Sequence, residues 1–234
     1  AAALAYGATA VGAKAHDRDA GQCDAIQGRG DQPLRRRGCP DAGQPARVMP
    51  GPAARAGLAL VHPFDDLAVM AGQGTAGIEL LGQVPDVEMV VVPVGGGGLI
   101  SGIAAAVKLQ RPSVRVVGVE PEGADAMSRS LGQGAPAHLA RVDTIADGLA
   151  PPFAGEHTYR HVQHFVDEMV RVSEAEIIDA VRVLIQRCKL AAEPSGAAGL
   201  AALLSGKVAA SAGSTVVCVI SGGNIGPDIL KQLL

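Results

Sequence analysis

Four consecutive glycines, Gly95 to Gly98, stand between the apolar run VEMVVVPV and the alanine-rich stretch LISGIAAAVKLQ. Residues without a Cβ let successive main-chain N–H groups converge on one point, and a helix beginning at Leu99 adds the positive end of its dipole. That is the chemistry of an anion cradle, and the expected ligand is a phosphate. No Lys-Ser or Lys-Thr pair follows the glycines, which excludes a nucleoside-triphosphate loop. Gly96-x-Gly98-x-x-Ser101 approaches the dinucleotide fingerprint with Ser101 in place of its third small residue, and Glu120 stands where an acid for a ribose hydroxyl would. A second reactive position lies at the far end of the chain, where STVVCVI runs into Ser221-Gly222-Gly223-Asn224. A serine at the carboxyl end of a strand holds its hydroxyl in the crevice where open α/β sheets bind ligands, and alone it serves equally as a turn former or helix cap.

The elements that must position these residues follow from periodicity. From Gly57 onward, apolar runs of strand length alternate with helical patterns, as βαβ units over a parallel sheet require. LALVHPF, VEMVVVPV, VRVVGVE and STVVCVI are predicted strands, the middle two continuous enough to be covered on both faces. AGQGTAGIELLGQV, LISGIAAAVKLQ and AAGLAALL are predicted helices, and residues 125 to 165 read as mixed, with short segments between turns. SEAEIIDAVRVLIQRCKL is the most legible element: Ser173 and Glu176 form a capping box, and Ile177, Val181, Leu184, Ile185 and Cys188 share one helical face. The fold class is therefore α/β, a doubly wound, mostly parallel sheet over residues 57–234. Residues 1–56 are expected to be a remnant of a smaller second domain. Within them, 12–50 shows no regular period and is enriched in Arg, Gly, Asp, Gln and Pro.

Composition narrows the partners. With 234 residues, 48% hydrophobic, the chain can bury a sizeable core, and its mean hydropathy is +0.24. A net charge of −3 and 2% aromatic residues leave neither a basic surface nor stacking groups for nucleic acid. Gly, Pro or charge interrupts every apolar run well before the roughly 20 residues of a membrane helix, and AAALAYGATAVGAKAHD lacks the basic start of a signal peptide. A cytoplasmic protein without membrane or nucleic-acid partners is expected. Cys23, Cys39, Cys188 and Cys218 form no metal-binding or disulfide pattern, and the last two read as small buried apolar residues.

VHPFDDLAVMAGQGTAGIELL, VVVPVGGGGLISGIA, VVGVEPEGADA, TIADGLA, AAEPSGAAGLAAL and VVCVISGGNIG occur in that order. Over residues 57 to 234 the chain resembles the second half of threonine/serine dehydratases, the tryptophan-synthase-β-like, pyridoxal-phosphate-dependent family (fold type II) that includes serine racemase. The resemblance implies a fold and a reaction: L-threonine or L-serine becomes 2-oxobutanoate or pyruvate plus ammonia by β-elimination. It also implies site roles. Gly95, Gly96, Gly97, Gly98 and the Leu99 amide would hold the phosphate of pyridoxal 5′-phosphate, and Ser221 would hydrogen-bond its pyridine nitrogen. Phe64 would lie near the cofactor ring, and Glu193 near the substrate. A neutral donor at that nitrogen makes a weaker electron sink than an acid would, which favours elimination. The family's divalent-cation pattern, Glu-Pro-x-x-Ala-x-Asp, is matched by Glu120 and Ala124, but its last acid is Ala126 here, so no metal is expected.

The same family carries its Schiff-base lysine in an S-F-K-x-R-G-A block followed by S-S-G-N-H, and neither block occurs here. Lys14, Lys108, Lys189, Lys207 and Lys231 stand in other contexts, with Lys108 and Lys189 on predicted exposed helix faces. The chain is thus expected to lack its catalytic lysine and to be inactive alone. AAALAYGATAVG resembles the helix that follows S-S-G-N-H. Over Arg29 to Cys39 a neighbouring reading frame can encode A-A-T-S-R-Y-G-A-E-V, a family-like peptide, so a frameshift in GC-rich DNA explains 12–50; a divergent loop is the alternative. The chain end after Ser221 leaves no expected regulatory domain, and relatives imply a homo-oligomer. Racemization of serine, or a non-catalytic nucleotide-binding module or pseudogene product using the glycine loop, are the other functions considered.

Overall fold

The computed structural model describes residues 61–233. The expected second-domain remnant 1–56, the anomalous 12–50 and the first part of the predicted strand LALVHPF lie outside the described residues. Helix α1 spans Leu67–Gln83, β1 Met89–Pro93, α2 Gly98–Gln110, β2 Arg115–Pro121 and α3 Ala126–Gln133. They are followed by α4 Glu156–Phe165, β3 Glu168–Val172, α5 Glu174–Val183, α6 Pro194–Leu204, β4 Val216–Cys218 and α7 Pro227–Leu233. The four strands are all parallel in the order β3-β2-β1-β4, with Val91 facing both Val117 and Cys218. After β1 the chain winds outward through β2 and β3, then returns to place β4 on the other side of β1. The winding direction therefore reverses at the carboxyl ends of β1 and β4.

Alternation along β1 assigns its side chains to two cores. Val90, Val92 and Val94 pack with Ile100, Ile103 and Val107 of α2, whereas Met89 and Val91 pack with Ile177 and Val181 of α5 and Ala197, Ala198 and Ala201 of α6. Helices on both faces explain why the strand is apolar throughout: all five of its residues are buried. The predicted capping box is present, with the Ser173 hydroxyl accepting from the Glu176 N–H and the Glu176 carboxylate from the Ser173 N–H.

The structure departs from the sequence reading in four places. Residues 63 to 65 form a bend rather than the end of a strand, because His62 Nδ1 accepts the N–H groups of Phe64 (3.3 Å) and Asp65 (2.8 Å) and turns the chain. The helix after Ser173 finishes in a π-helical turn, Leu184–Cys188, closed by Lys189 in the left-handed region (φ 59°). That wider turn breaks the 3.6-residue register, so Cys188 is exposed and not buried. Lys108 lies on no open face: its Nζ pairs with Asp167 at 2.7 Å and donates to the Pro112 carbonyl. Finally, β3 has no counterpart among the predicted strands, and the mixed region 125–165 contains α3 and α4. Strand β3 is an edge strand carrying Glu168 and Arg171, which bind Arg115 and Asp125 and keep that edge charged. Among the described residues no helix is long and apolar enough to cross a membrane.

Helices α1 and α2 meet through glycines. A Cβ on Gly102 would lie 2.6 Å from the Gly74 nitrogen and in collision with the Met70 carbonyl, both backbone atoms that no rotamer change can move. Gly102→Ala is expected to destabilise the fold by about 2–3 kcal/mol, the upper part of the overpacking range, measured as a lowered urea midpoint with an unchanged slope.

Candidate functional site

Beyond β1, the Val94 N–H still bonds the Val119 carbonyl of β2 at 2.8 Å, and the ladder ends there. The glycines follow, and Gly97 takes φ 92°, ψ −2° as the N-cap of α2 with no capping side chain. The first bond of the helix is Ser101 N–H to Gly97 O at 3.0 Å. Among the described residues no acceptor takes the N–H groups of Gly95, Gly96, Gly97, Gly98 or Leu99, although Gly96, Gly97 and Gly98 are buried. Buried main-chain donors without acceptors at a helix N-terminus are the fittings of an anion site.

No residue other than glycine fits these four positions. A Cβ on Gly95 would lie 2.9 Å from Leu149 Cα, and one on Gly96 2.5 Å from Phe64 Cδ2. On Gly97 it would lie 2.6 Å from Met127 Cε and 2.9 Å from Thr158 Cβ, and on Gly98 2.9 Å from Phe64 Cα. The loop is thus walled by four separate segments, at Phe64, Met127, Leu149 and Thr158. Phe64 is held there by its neighbours in HPFDD. Asp65 accepts the N–H groups of Glu156, His157 and Thr158 at 3.0, 2.8 and 3.0 Å, filling the N-terminus of α4, while Asp66 caps α1 by accepting from Ala68 and Val69. Thr158 in turn donates its hydroxyl to the Gly96 carbonyl at 2.8 Å, so the loop and the Phe64 segment share one anchor. Phe153 lies 5.6 Å from the Phe64 ring, which puts two of the chain's three phenylalanines beside the glycines.

The other wall comes from β4 and α6. The Val219 N–H bonds the Val91 carbonyl at 2.9 Å, so Ser221 leaves β4 at the same end of the sheet where the glycines leave β1. Ser221 is exposed, and among the described residues its hydroxyl has no hydrogen-bond partner. Glu193, the N-cap of α6, donates its N–H to Gly222 O (3.1 Å) and accepts the Asn224 N–H on Oε2 (2.9 Å). Burial pushes the Glu193 carboxyl upward, opposed by the Asn224 bond and reinforced by nearby Asp147. Ser195, buried two residues on, accepts the Gly148 N–H at 2.8 Å, tying the TIADGLA segment to α6. Leu149 of that segment closes the circuit against Gly95.

All the residues singled out from the sequence, Phe64, Gly95 to Leu99, Glu193 and Ser221, stand at this carboxyl edge. The sequence reading did not single out Asp65, Thr158, Gly148, Leu149 or Ser195. Asp65, Gly148, Leu149 and Ser195 had no signal beyond membership of the same short blocks, and Thr158 had none at all, since a residue that holds a loop through backbone bonds carries no motif of its own. Glu120 is occupied elsewhere. It is fully buried, and its carboxylate accepts the Met127 N–H (2.7 Å) and the Ser128 N–H (2.8 Å) and hydroxyl (2.6 Å). Burial raises its pKa to about 7 against those three donors. It holds the start of α3 and offers nothing to a ribose. Asp125 binds Arg129 and Arg171 at 2.7 and 3.2 Å, and among the described residues no group of three or more His, Cys, Asp or Glu could hold a metal ion.

A sequence model of the pyridoxal-phosphate dependent enzyme family matches residues 37–222. The chain is 46% identical over 180 residues to the L-threonine ammonia-lyase of Thermotoga maritima, covering 77% of this chain and 44% of that protein. The structure resembles that of a threonine deaminase from T.th. (TM-score 0.71, 43% identity, 74% of this chain and 65% of that one). It also resembles maize serine racemase (TM-score 0.72, 40% identity, 77% of this chain and 56% of that one). The chain spans about half the length of the curated relatives it matches.

Removing the Asp65 carboxylate leaves three N–H groups at the α4 terminus without their acceptor. Asp65→Ala is expected to cost about 2–3 kcal/mol in urea denaturation, and Asp65→Asn, which keeps one acceptor oxygen, about half of that.

Proposed function

The chain belongs to the pyridoxal-phosphate-dependent enzyme family, and we propose that it forms the phosphate- and ring-nitrogen-binding half of a threonine/serine ammonia-lyase site. The observation that carries this reading is the pair of unengaged donors at the switch point: the main-chain N–H groups of Gly95 to Leu99 after β1 and the Ser221 hydroxyl after the adjacent β4. In open α/β sheets that crevice is where ligands bind. The residues present fit the cofactor: converging amides for a phosphate dianion, a neutral hydroxyl for a pyridine nitrogen, and Phe64 as an apolar wall.

Each part has its own task. The amides and the α2 dipole hold the phosphate without a cation, and the absence of side chains lets it approach the backbone. Ser221 donates to the ring nitrogen and adds no charge there, and Glu193 stands on the substrate side. When bound, pyridoxal phosphate supplies the electron sink that makes a substrate Cα–H acidic. The substrate is L-threonine, as the name of the Thermotoga maritima relative suggests, or L-serine, and β-elimination from them gives 2-oxobutanoate or pyruvate with ammonia. No S-F-K-x-R-G-A block occurs in the 234 residues, so these residues by themselves bind cofactor without turning over substrate. The intact enzyme is a cytoplasmic homo-oligomer. Serine racemization is the second reading, favoured by the resemblance to maize serine racemase.

Titration of the full chain tests this. Pyridoxal 5′-phosphate is expected to bind at least about 10-fold more tightly than pyridoxal, because the phosphate meets several charge-assisted hydrogen bonds. Gly97→Val should remove that preference, borohydride should trap no adduct, and L-threonine should yield no 2-oxobutanoate. Equal binding of the two compounds, or tighter binding of NAD, would overturn the cofactor assignment. Turnover would overturn the missing-lysine assignment, and D-serine formed from L-serine would favour racemization.

A further inference from the structure

Strand β4 is short and half-buried, and among the described residues it is hydrogen-bonded to β1 alone, which leaves the turn after it to be fixed by other contacts. Residues 221 to 224 instead sit against α6 and the segment before it. Gly222 O accepts from Glu193 N–H, and a Cβ on Gly196 would lie 2.5 Å from Gly222 O and 2.8 Å from Gly222 N. A Cβ on Gly222 would collide with the Glu193 carboxylate, and one on Gly223 with the Ala191 carbonyl. The two segments therefore touch backbone to backbone, and the one side chain bonded across the contact is Glu193, through the Asn224 N–H. Among the described residues this half-buried carboxylate has no cationic partner, an arrangement that Asp147 nearby makes less favourable still.

We infer that Glu193 is a positioning residue: by holding the Asn224 N–H it fixes the Ser221–Asn224 turn, and through that turn the direction of the Ser221 hydroxyl. The link to a ligand rests on the cofactor assignment above, whereas the clasp itself does not. An N-cap needs only a short side chain with an oxygen, and Glu is not among the preferred ones. The longer side chain reaches past its own helix to a neighbouring loop, which marks the clasp as its purpose. Reciprocity supports this: residue 193 gives its N–H to the turn and takes one back two residues later.

Glu193→Asp separates the two roles, since Asp is a favoured N-cap that preserves α6 but falls one methylene short of Asn224. Glu193→Gln keeps both the reach and an acceptor oxygen. In the full chain, amide exchange at Asn224 should accelerate at least about 10-fold in Glu193→Asp, the value of one charge-assisted bond, and stay within about 3-fold of wild type in Glu193→Gln. Exchange at Val91 and Val117 should not change in either. Pyridoxal 5′-phosphate affinity should fall about 5-fold in Glu193→Asp, but less than 2-fold further when that change is added to Ser221→Ala, because the two act through one contact. Unchanged exchange at Asn224 in Glu193→Asp would overturn the clasp, and independent, multiplying effects on affinity would overturn the positioning of Ser221 through it. Faster exchange in a chain whose wild type does not bind pyridoxal 5′-phosphate would leave the clasp standing and remove the cofactor assignment instead.

Discussion

A loop with no room for a side chain governs the carboxyl edge of this sheet. At each of Gly95, Gly96, Gly97 and Gly98 a Cβ would come within 3 Å of an atom from another segment, and at Gly97 the backbone also takes a left-handed conformation. Close packing fixes the loop, and fixing it keeps a row of N–H groups from finding acceptors among the described residues. An unengaged buried donor ordinarily costs about 1–3 kcal/mol, and several in succession are tolerated where a ligand completes them. The strain of the loop and its binding capacity are the same physical fact.

The surrounding residues are arranged to preserve that loop, and most act through the backbone. Asp65 fills the α4 terminus with an internal carboxylate, so that helix offers no competing anion site and carries Thr158 to the Gly96 carbonyl. Ser195 and Glu193 do the equivalent for the opposite wall, one holding Gly148 and the other Gly222 and Asn224. Three acids thus have two uses: Asp65 and Glu120 saturate helix N-termini, and Glu193 reaches across to a turn. Burial raises the pKa of Glu193, and of Glu120 more strongly, and among the described residues neither carboxylate has an ion-pair partner to offset it.

Much of this was legible in the sequence. The runs at 87–94 and 114–120 became β1 and β2, the capping box at Ser173 and Glu176 formed as read, and the glycines opened α2. Legibility failed where the pattern was diluted. Strand β3 is a short edge strand whose apolar residues are interrupted by Glu168 and Arg171, and α4 is a polar helix with three histidines, buried only at Thr158, Tyr159 and Val162. The described end of LALVHPF, from Val61 to Phe64, departs from a strand for a different reason. A histidine accepting two nearby N–H groups bends the chain at residues 63 to 65, and hydropathy does not register that local bond.

The amino-acid sequence by itself determined the types of the strongly periodic elements, β1, β2, α2 and α5 among them, the two-faced burial of β1 and the glycines that can meet an anion, because these rest on local stereochemistry and periodicity. Only the tertiary structure decided that β4 returns beside β1, bringing Ser221 to the edge where the glycines lie. It also decided which acids hold loops and which hold helices. Such contacts join residues far apart in sequence, 93 positions in the case of Asp65 and Thr158, and their partners are main-chain groups that every residue type carries alike. A backbone N–H has no identity in a sequence, so the residues that bind it become recognisable only when the chain has folded around it.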